Sequence, residues 1–211
     1  MGKQSGSKDI RIRIQEAEMS KDRALVSDIL DEATKEEANM LVPIIPDLLK
    51  HPDWLVRASA VERVGASGLR QFEDLVRERL KDRVINVRAY ALMAYYDLLG
   101  KESLPVIEEF CRAKNVGLRV TALALHYVET HKEDVWKALT RILKRRNCYY
   151  MHRHIVLNVF EHYLDVSRHP EIVDLFQGML RDLPRWHGLY KDIKQCLRVW
   201  RPPVKRKQKK K

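Results

Sequence analysis

Four arginines, Arg57, Arg88, Arg119 and Arg153, recur at steps of 31, 31 and 34 residues. They are the most regularly spaced polar residues in the chain. A guanidinium presents its donors as a rigid fork that suits carboxylates and phosphates. Each arginine follows a carboxylate or amide at short range: Asp53, Asp82, Asn115 and Asn147. Two chemistries fit this spacing. The set Asp53, Arg57, Asp82, Arg88, Asn115, Arg119 and Arg153 could form a structural ladder of pairs between neighbouring copies, or the arginines could line one face and bind anions. The change from Asp to Asn leaves Arg119 and Arg153 less neutralised than the earlier pair.

Other constellations are weaker. Arg141, Lys144, Arg145, Arg146 and Arg153 lie close in sequence with Tyr149 and Tyr150 among them. Bases interleaved with aromatics are what a polyanion surface uses. Five histidines, His126, His131, His152, His154 and His162, gather in the same region, but their spacing places no two on one helical face with a carboxylate, so no metal ligand set is expected. His126 falls at a core position instead. The three cysteines are widely separated without a CxxC, which points to reduced thiols. Cys111 reads as a small core residue. No Gly-rich phosphate loop, Ser/His/Asp set or paired-carboxylate motif occurs, so no catalytic residue and no cofactor are assigned.

The residues around each arginine must be carried by helices. Val56, Ala60, Val61 and Val64 stand at i, i+4, i+5 and i+8, and Val87, Ala91, Leu92 and Tyr95 reproduce them one period on. That is an apolar stripe at helical spacing. Asp53, Asp82, Asn115 and Asn147 are suited to open these helices as N-caps. A second amphipathic run precedes each: Leu41–Lys50, Phe72–Leu80, Leu104–Arg112 and Asp134–Arg145. Breakers fall at the joints, with Pro43, Pro46, Pro105 and Pro170 near helix starts and Gly65 and Gly100 at helix ends. A period of this size, with each unit too small to bury its own apolar face, predicts stacked helical pairs.

The Asp/Asn, Val/Leu-Arg and Ala-Leu pattern in the second helix of each pair resembles the HEAT-repeat family over roughly Leu41 to Trp200. The resemblance implies an all-α fold, a right-handed α–α superhelix (HEAT/armadillo-like solenoid) of about five helical pairs. It also implies that the ladder arginine pairs with the acid or amide of an adjacent repeat. It carries no reaction with it, because the family includes scaffolds, transport receptors, regulators and nucleic-acid binders. HEAT-like alkyl-base DNA glycosylases are similar in size, charge and helix pairing, yet their catalytic aspartate has no counterpart here.

The net charge of +11 is uneven. Residues 1–40 carry seven bases against nine acids, residues 41–136 fourteen of each, residues 137–200 twelve bases against six acids, and residues 201–211 seven bases and no acid. Residues 1–8 are expected to be disordered, 9–40 to form a helical cap, 41–200 the repeat domain and 201–211 a flexible basic tail. The absence of a long apolar run and of a secretory pattern suggests a cytoplasmic location, or a nuclear one if the tail is an import signal.

The first functional reading is a non-catalytic module that holds a macromolecule, a protein foremost, on the face of the second helices. Aligning the copies places Ser59, Glu62 and Arg63, then Tyr90, Met93 and Asp97, then Thr121 and Ala124, then Ile155, Asn158 and His162 there. The alternative is a nucleic-acid binder, or a HEAT-like repair glycosylase, working through Arg141, Lys144, Arg145, Arg146, Arg153 and the tail residues Lys205, Arg206 and Lys207.

Overall fold

The computed structural model describes residues 9–144, 159–165, 168–186 and 188–200. Among these residues every regular element is helical. The chain divides into two compact units, Met1–Phe110 and Cys111–Lys211.

In the first unit, α1 (Ile10–Met19) and α2 (Arg23–Glu32) open on Asp9 and Asp22, whose carboxylates accept from the N–H groups of Arg11 and Leu25. Such caps satisfy donors that a helix start leaves orphaned. Helix α3 (Lys35–Met40) begins with a capping box between Thr34 and Glu37. Pro46 sits in the first turn of the short α4 (Ile45–Leu49). Helix α5 (Trp54–Ser67) follows, capped by Asp53. After a 3-10 turn at Arg70–Phe72 come α6 (Glu73–Arg79), α7 (Ile85–Leu99) and α8 (Leu104–Phe110).

These helices pack in two sets. Helix α2 lies against α5, and α5 against α7; α1 contacts α2 and α3, α4 contacts α5 and α6, and α6 contacts α7. The segment 9–40 thus supplies α2, which stands to α5 as α5 stands to α7. The core between the sets comprises Val26, Leu30, Leu41, Ile45, Val56, Val61, Val64, Val76, Val87 and Leu92, all buried. A hydrogen bond of 2.7 Å between the buried hydroxyls of Ser27 and Ser59 registers α2 on α5.

Two joints differ from the sequence expectation. Gly65 does not end α5; the helix runs on to Ser67 and stops at Gly68, whose φ of 67° is left-handed. Gly65 instead admits α7. A Cβ built there would lie 2.6 Å from Ala94 Cα, so the closest approach of the two helices depends on the missing side chain. Asp82 does not cap α7 either. The N-cap is Val84, which offers no side-chain acceptor, because the second copy places its aspartate six residues ahead of the arginine where the first places it four ahead.

In the second unit, α9 (Val116–Thr130) is capped by Asn115 and ends at His131, whose φ is 51°. Helix α10 (Glu133–Leu143) packs on α9. Residues 159–163 are helical, and α11 (Pro170–Asp182) packs on α12 (Gly188–Trp200). Phe160 and Phe176 meet edge to face at 5.8 Å. Trp136 is buried, packs at a tilt against Tyr127 and His169 at 4.7 and 4.1 Å, and donates its indole N–H to Glu171 Oε1 at 3.0 Å. No helix among the described residues is long and apolar enough to cross a membrane.

Candidate functional site

The ladder begins with a buried pair. Arg57 Nε and Nη2 donate to Asp82 Oδ2 and Oδ1 at 2.8 and 3.0 Å, and Nη1 donates to the carbonyls of His51 and Pro52 at 2.7 and 3.0 Å. Both side chains are nearly inaccessible, at 5% and 4% exposure. Burial pushes the Asp82 carboxyl up, but the hydrogen bonds from Arg57 and from the Val84 N–H outweigh it and hold the group below its ordinary range. An arginine so enclosed has no donor fork to offer a ligand.

Among the described residues the pair is not repeated along the ladder. The residue six before each of the four arginines is His51, Asp82, Ala113 and Asn147 in turn, so only the second copy has a carboxylate there. Arg119 keeps the backbone half of the motif and donates to Ala113 O at 2.9 Å. Arg88 has a buried Nε without a hydrogen-bond partner among the described residues. Asp53 caps α5 and lies 3.4 Å from Arg23, while Asn115 caps α9. Arg153 lies outside the described residues.

The polar face of α2, α5 and α7 has different chemistry. Arg63 reaches back across α5 and donates from Nε and Nη2 to Leu30 O and Asp31 O at 2.7 and 2.6 Å. These are carbonyls of the last turn of α2, of which that of Leu30 otherwise accepts only a long 3.4 Å bond from the Ala33 N–H, and a cation there also meets the negative end of the helix dipole. With Arg63 committed to backbone, it only partly offsets the carboxylates near it. Burial first, then the charges of Asp31 and Asp97, push the half-buried Glu62 carboxyl from 4.5 up to about 7, against the pull of Arg63. Asp31 is also raised, by burial first and by Asp28, while Ser59, Arg63 and Ser27 oppose the rise. Three acids therefore share one face.

Not every residue aligned to that face reaches it. Tyr90 is half-buried and Asp97 exposed, but Met93 is only 6% exposed and belongs to the core. Ser59 is held by Ser27, and Thr121 bonds back to Gly117 O; both are buried, as is Ala124. His162 is exposed beside Tyr163. Ile155 and Asn158 lie outside the described residues. Asp31 belongs to the acidic run Asp31, Glu32, Glu36 and Glu37, legible in the sequence as a candidate docking arm. Aligning the repeats does not bring it or Asp28 beside Glu62, because both sit on α2, ahead of the first recognisable copy. The signal for them is the acidic run of α2 once that helix is placed beside α5.

Of the basic residues, Arg141 and Lys144 are exposed at the end of α10. Arg145, Arg146, Lys205, Arg206 and Lys207 lie outside the described residues. His126 is buried, with Nδ1 3.8 Å from Cys111 Sγ. Burial, followed by Glu161 and Asp192, pushes the Cys196 thiol up to about 11, the reverse of what a nucleophile needs. Among the described residues no group of three or more His, Cys, Asp or Glu could hold a metal ion.

Comparison of the chain with protein-family models, with curated proteins and with solved structures finds no match.

Proposed function

We propose that this chain is a non-catalytic, HEAT-like binding module of about five stacked helical pairs, and that its α2/α5/α7 face holds a basic segment of a protein partner. The observation that carries the reading is the arrangement around Arg63. Its guanidinium is bound to the carbonyls of Leu30 and Asp31, and burial first, with the charges of Asp31 and Asp97 added, raises the Glu62 carboxyl to about 7. A lysine or arginine arriving from a partner would relieve that repulsion and meet carboxylates already partly desolvated, where charge-assisted hydrogen bonds are strongest. The face comes from consecutive helices of similar pose, which suits an extended or helical segment more than a small molecule.

The test is titration of a fluorescent twelve-residue Lys/Arg-rich peptide, with an acidic peptide of equal length as control. The basic peptide binds, and its affinity rises between pH 6 and pH 8 as Glu62 ionises. Glu62→Lys or Asp97→Lys weakens it by about tenfold or more. Equal affinity of wild type and both variants would remove the face from the function.

A further inference from the structure

We propose a second, separate site: a cleft at the turns joining α4 to α5 and α6 to α7 that binds a phosphomonoester. The cleft is shallow and open to solvent, with a volume of about 370 Å³. Its lining includes the Arg57–Asp82 pair, which is neutral as a unit and closed to ligands. Four further cations line it, Lys50, Arg79, Lys81 and Arg83, against one further carboxylate, Glu78.

Arg79 shows why an anion is wanted. Its side chain is only 20% exposed, yet its two carboxylate contacts, to Glu78 and Asp82, are long ones. Nη1 makes a 3.2 Å hydrogen bond to Leu49 O and lies 3.9 Å from Asp82, which is already bidentate to Arg57. Nη2 makes a 3.4 Å contact with Glu78, itself 57% exposed. Nε is buried with no hydrogen-bond partner among the described residues. A half-desolvated guanidinium in this state gains from any dianion that enters.

Two arginines and two lysines around one open cleft match a compact dianion with several acceptor oxygens, which is a phosphomonoester near neutral pH. A nucleic-acid backbone offers singly charged diesters spread along a strand and calls for a row of such clusters. The phosphate could belong to a free metabolite or to a phosphorylated side chain, and both present the same group to the cleft.

The experiment is thermal unfolding of the full chain with glycerol 3-phosphate, O-phosphoserine, a phosphoserine peptide or a single-stranded oligonucleotide, each against sodium chloride of equal ionic strength. At about ten times Kd, a binding phosphate raises Tm by about 3 °C or more. The double reversal Lys81→Glu/Arg83→Glu abolishes the shift, and Lys50→Glu, checked for native helicity, repeats the result with one exposed residue. The equal charge change at Lys207→Glu/Lys210→Glu leaves it intact. A response to the small phosphates assigns the site to a metabolite; a response to the phosphopeptide alone assigns it to a modified partner. The proposal fails if no phosphomonoester shifts Tm, if the tail reversal removes the shift as completely as the cleft reversal, or if the oligonucleotide responds more strongly and loses its response on cleft reversal. None of these outcomes involves Glu62 or Asp97, so this site and the acidic face stand or fall separately.

Discussion

The first unit carries two charged surfaces built from the same residue types, and they have opposite sign. At the turns, Arg57 is bound bidentately to Asp82, the pair is buried, and the surplus is Lys50, Arg79, Lys81 and Arg83. On the α2/α5/α7 face, Arg63 lies near carboxylates but gives its hydrogen bonds to the carbonyls of Leu30 and Asp31, and the surplus is acidic. Residues 41–136 hold equal numbers of acids and bases, so net charge predicts neither surface. What decides the sign is which acceptor each arginine takes. A guanidinium that takes a carboxylate removes an acid from the surface, and one that takes backbone carbonyls leaves the acids exposed to one another.

Breaking the buried pair tests the first half of that comparison and gives the largest effect. Asp82→Ala leaves Arg57 buried with two carbonyls and no counter-charge, and should cost about 3–5 kcal/mol in denaturant unfolding. Replacing both members by apolar residues of similar size, as in Arg57→Met/Asp82→Leu, should recover much of it, because the pair also bears a desolvation cost. The pH dependence follows from the direction of the Asp82 shift. Its carboxyl is held low when folded, so its contribution is fully present above the ordinary carboxylate range and is lost as pH falls through the lowered value. A double mutant no more stable than Asp82→Ala would mean that the pair does not act as a unit.

Gly65 sets the spacing on which the second surface depends. Gly65→Ala would bring a methyl group to within 2.6 Å of Ala94 Cα and 3.2 Å of Asp97 Oδ2. Both α5 and α7 must shift, at about 1–3 kcal/mol of overpacking. Because Glu62 and Asp97 ride on those two helices, the basic peptide should lose affinity in this variant while the phosphate response of the turns stays. Melting curves and both titrations on one preparation check it. Unchanged stability would show that α5 and α7 can slide apart freely.

The helical elements were legible because apolar periodicity and breakers coincide; Val56, Val61 and Val64, and Val87, Leu92 and Tyr95, are all buried as their spacing requires. The chemistry was less legible, for three local reasons. Asp82 and Asp53 look equivalent beside their arginines, but a two-residue difference in spacing makes one a helix cap and the other a ligand of Arg57. Gly65 reads as a terminator, since nothing in a linear sequence distinguishes a glycine that ends a helix from one that lets a neighbour approach. Trp136 has no role that its sequence neighbourhood reveals, and acquires one where α11 brings His169 and Glu171 against it. In each case the deciding partner lies more than twenty residues away in sequence.

The smallest effect is the most diagnostic of the acidic face. Glu62 has its carboxyl raised from 4.5 to about 7, so between those values the folded chain keeps a proton that the unfolded chain has released. Stability on this account is fully present below about pH 4.5 and is lost as pH rises through 7, the reverse of the Asp82 case. The full difference corresponds to at most about 3 kcal/mol, and solvent screening of a half-buried group reduces it to about 1–2 kcal/mol. Glu62→Gln keeps the shape and the neutral form at every pH. It should therefore match wild type near pH 5 and exceed it at pH 8, with Tm higher by about 2–6 °C. The same substitution should weaken the basic peptide at pH 8 and not at pH 5, so one residue would trade stability against binding. If Glu62→Gln were instead destabilising at pH 8, the Glu62 carboxylate would be favourably paired rather than crowded, and the acidic face would lose the repulsion on which its proposed partner depends.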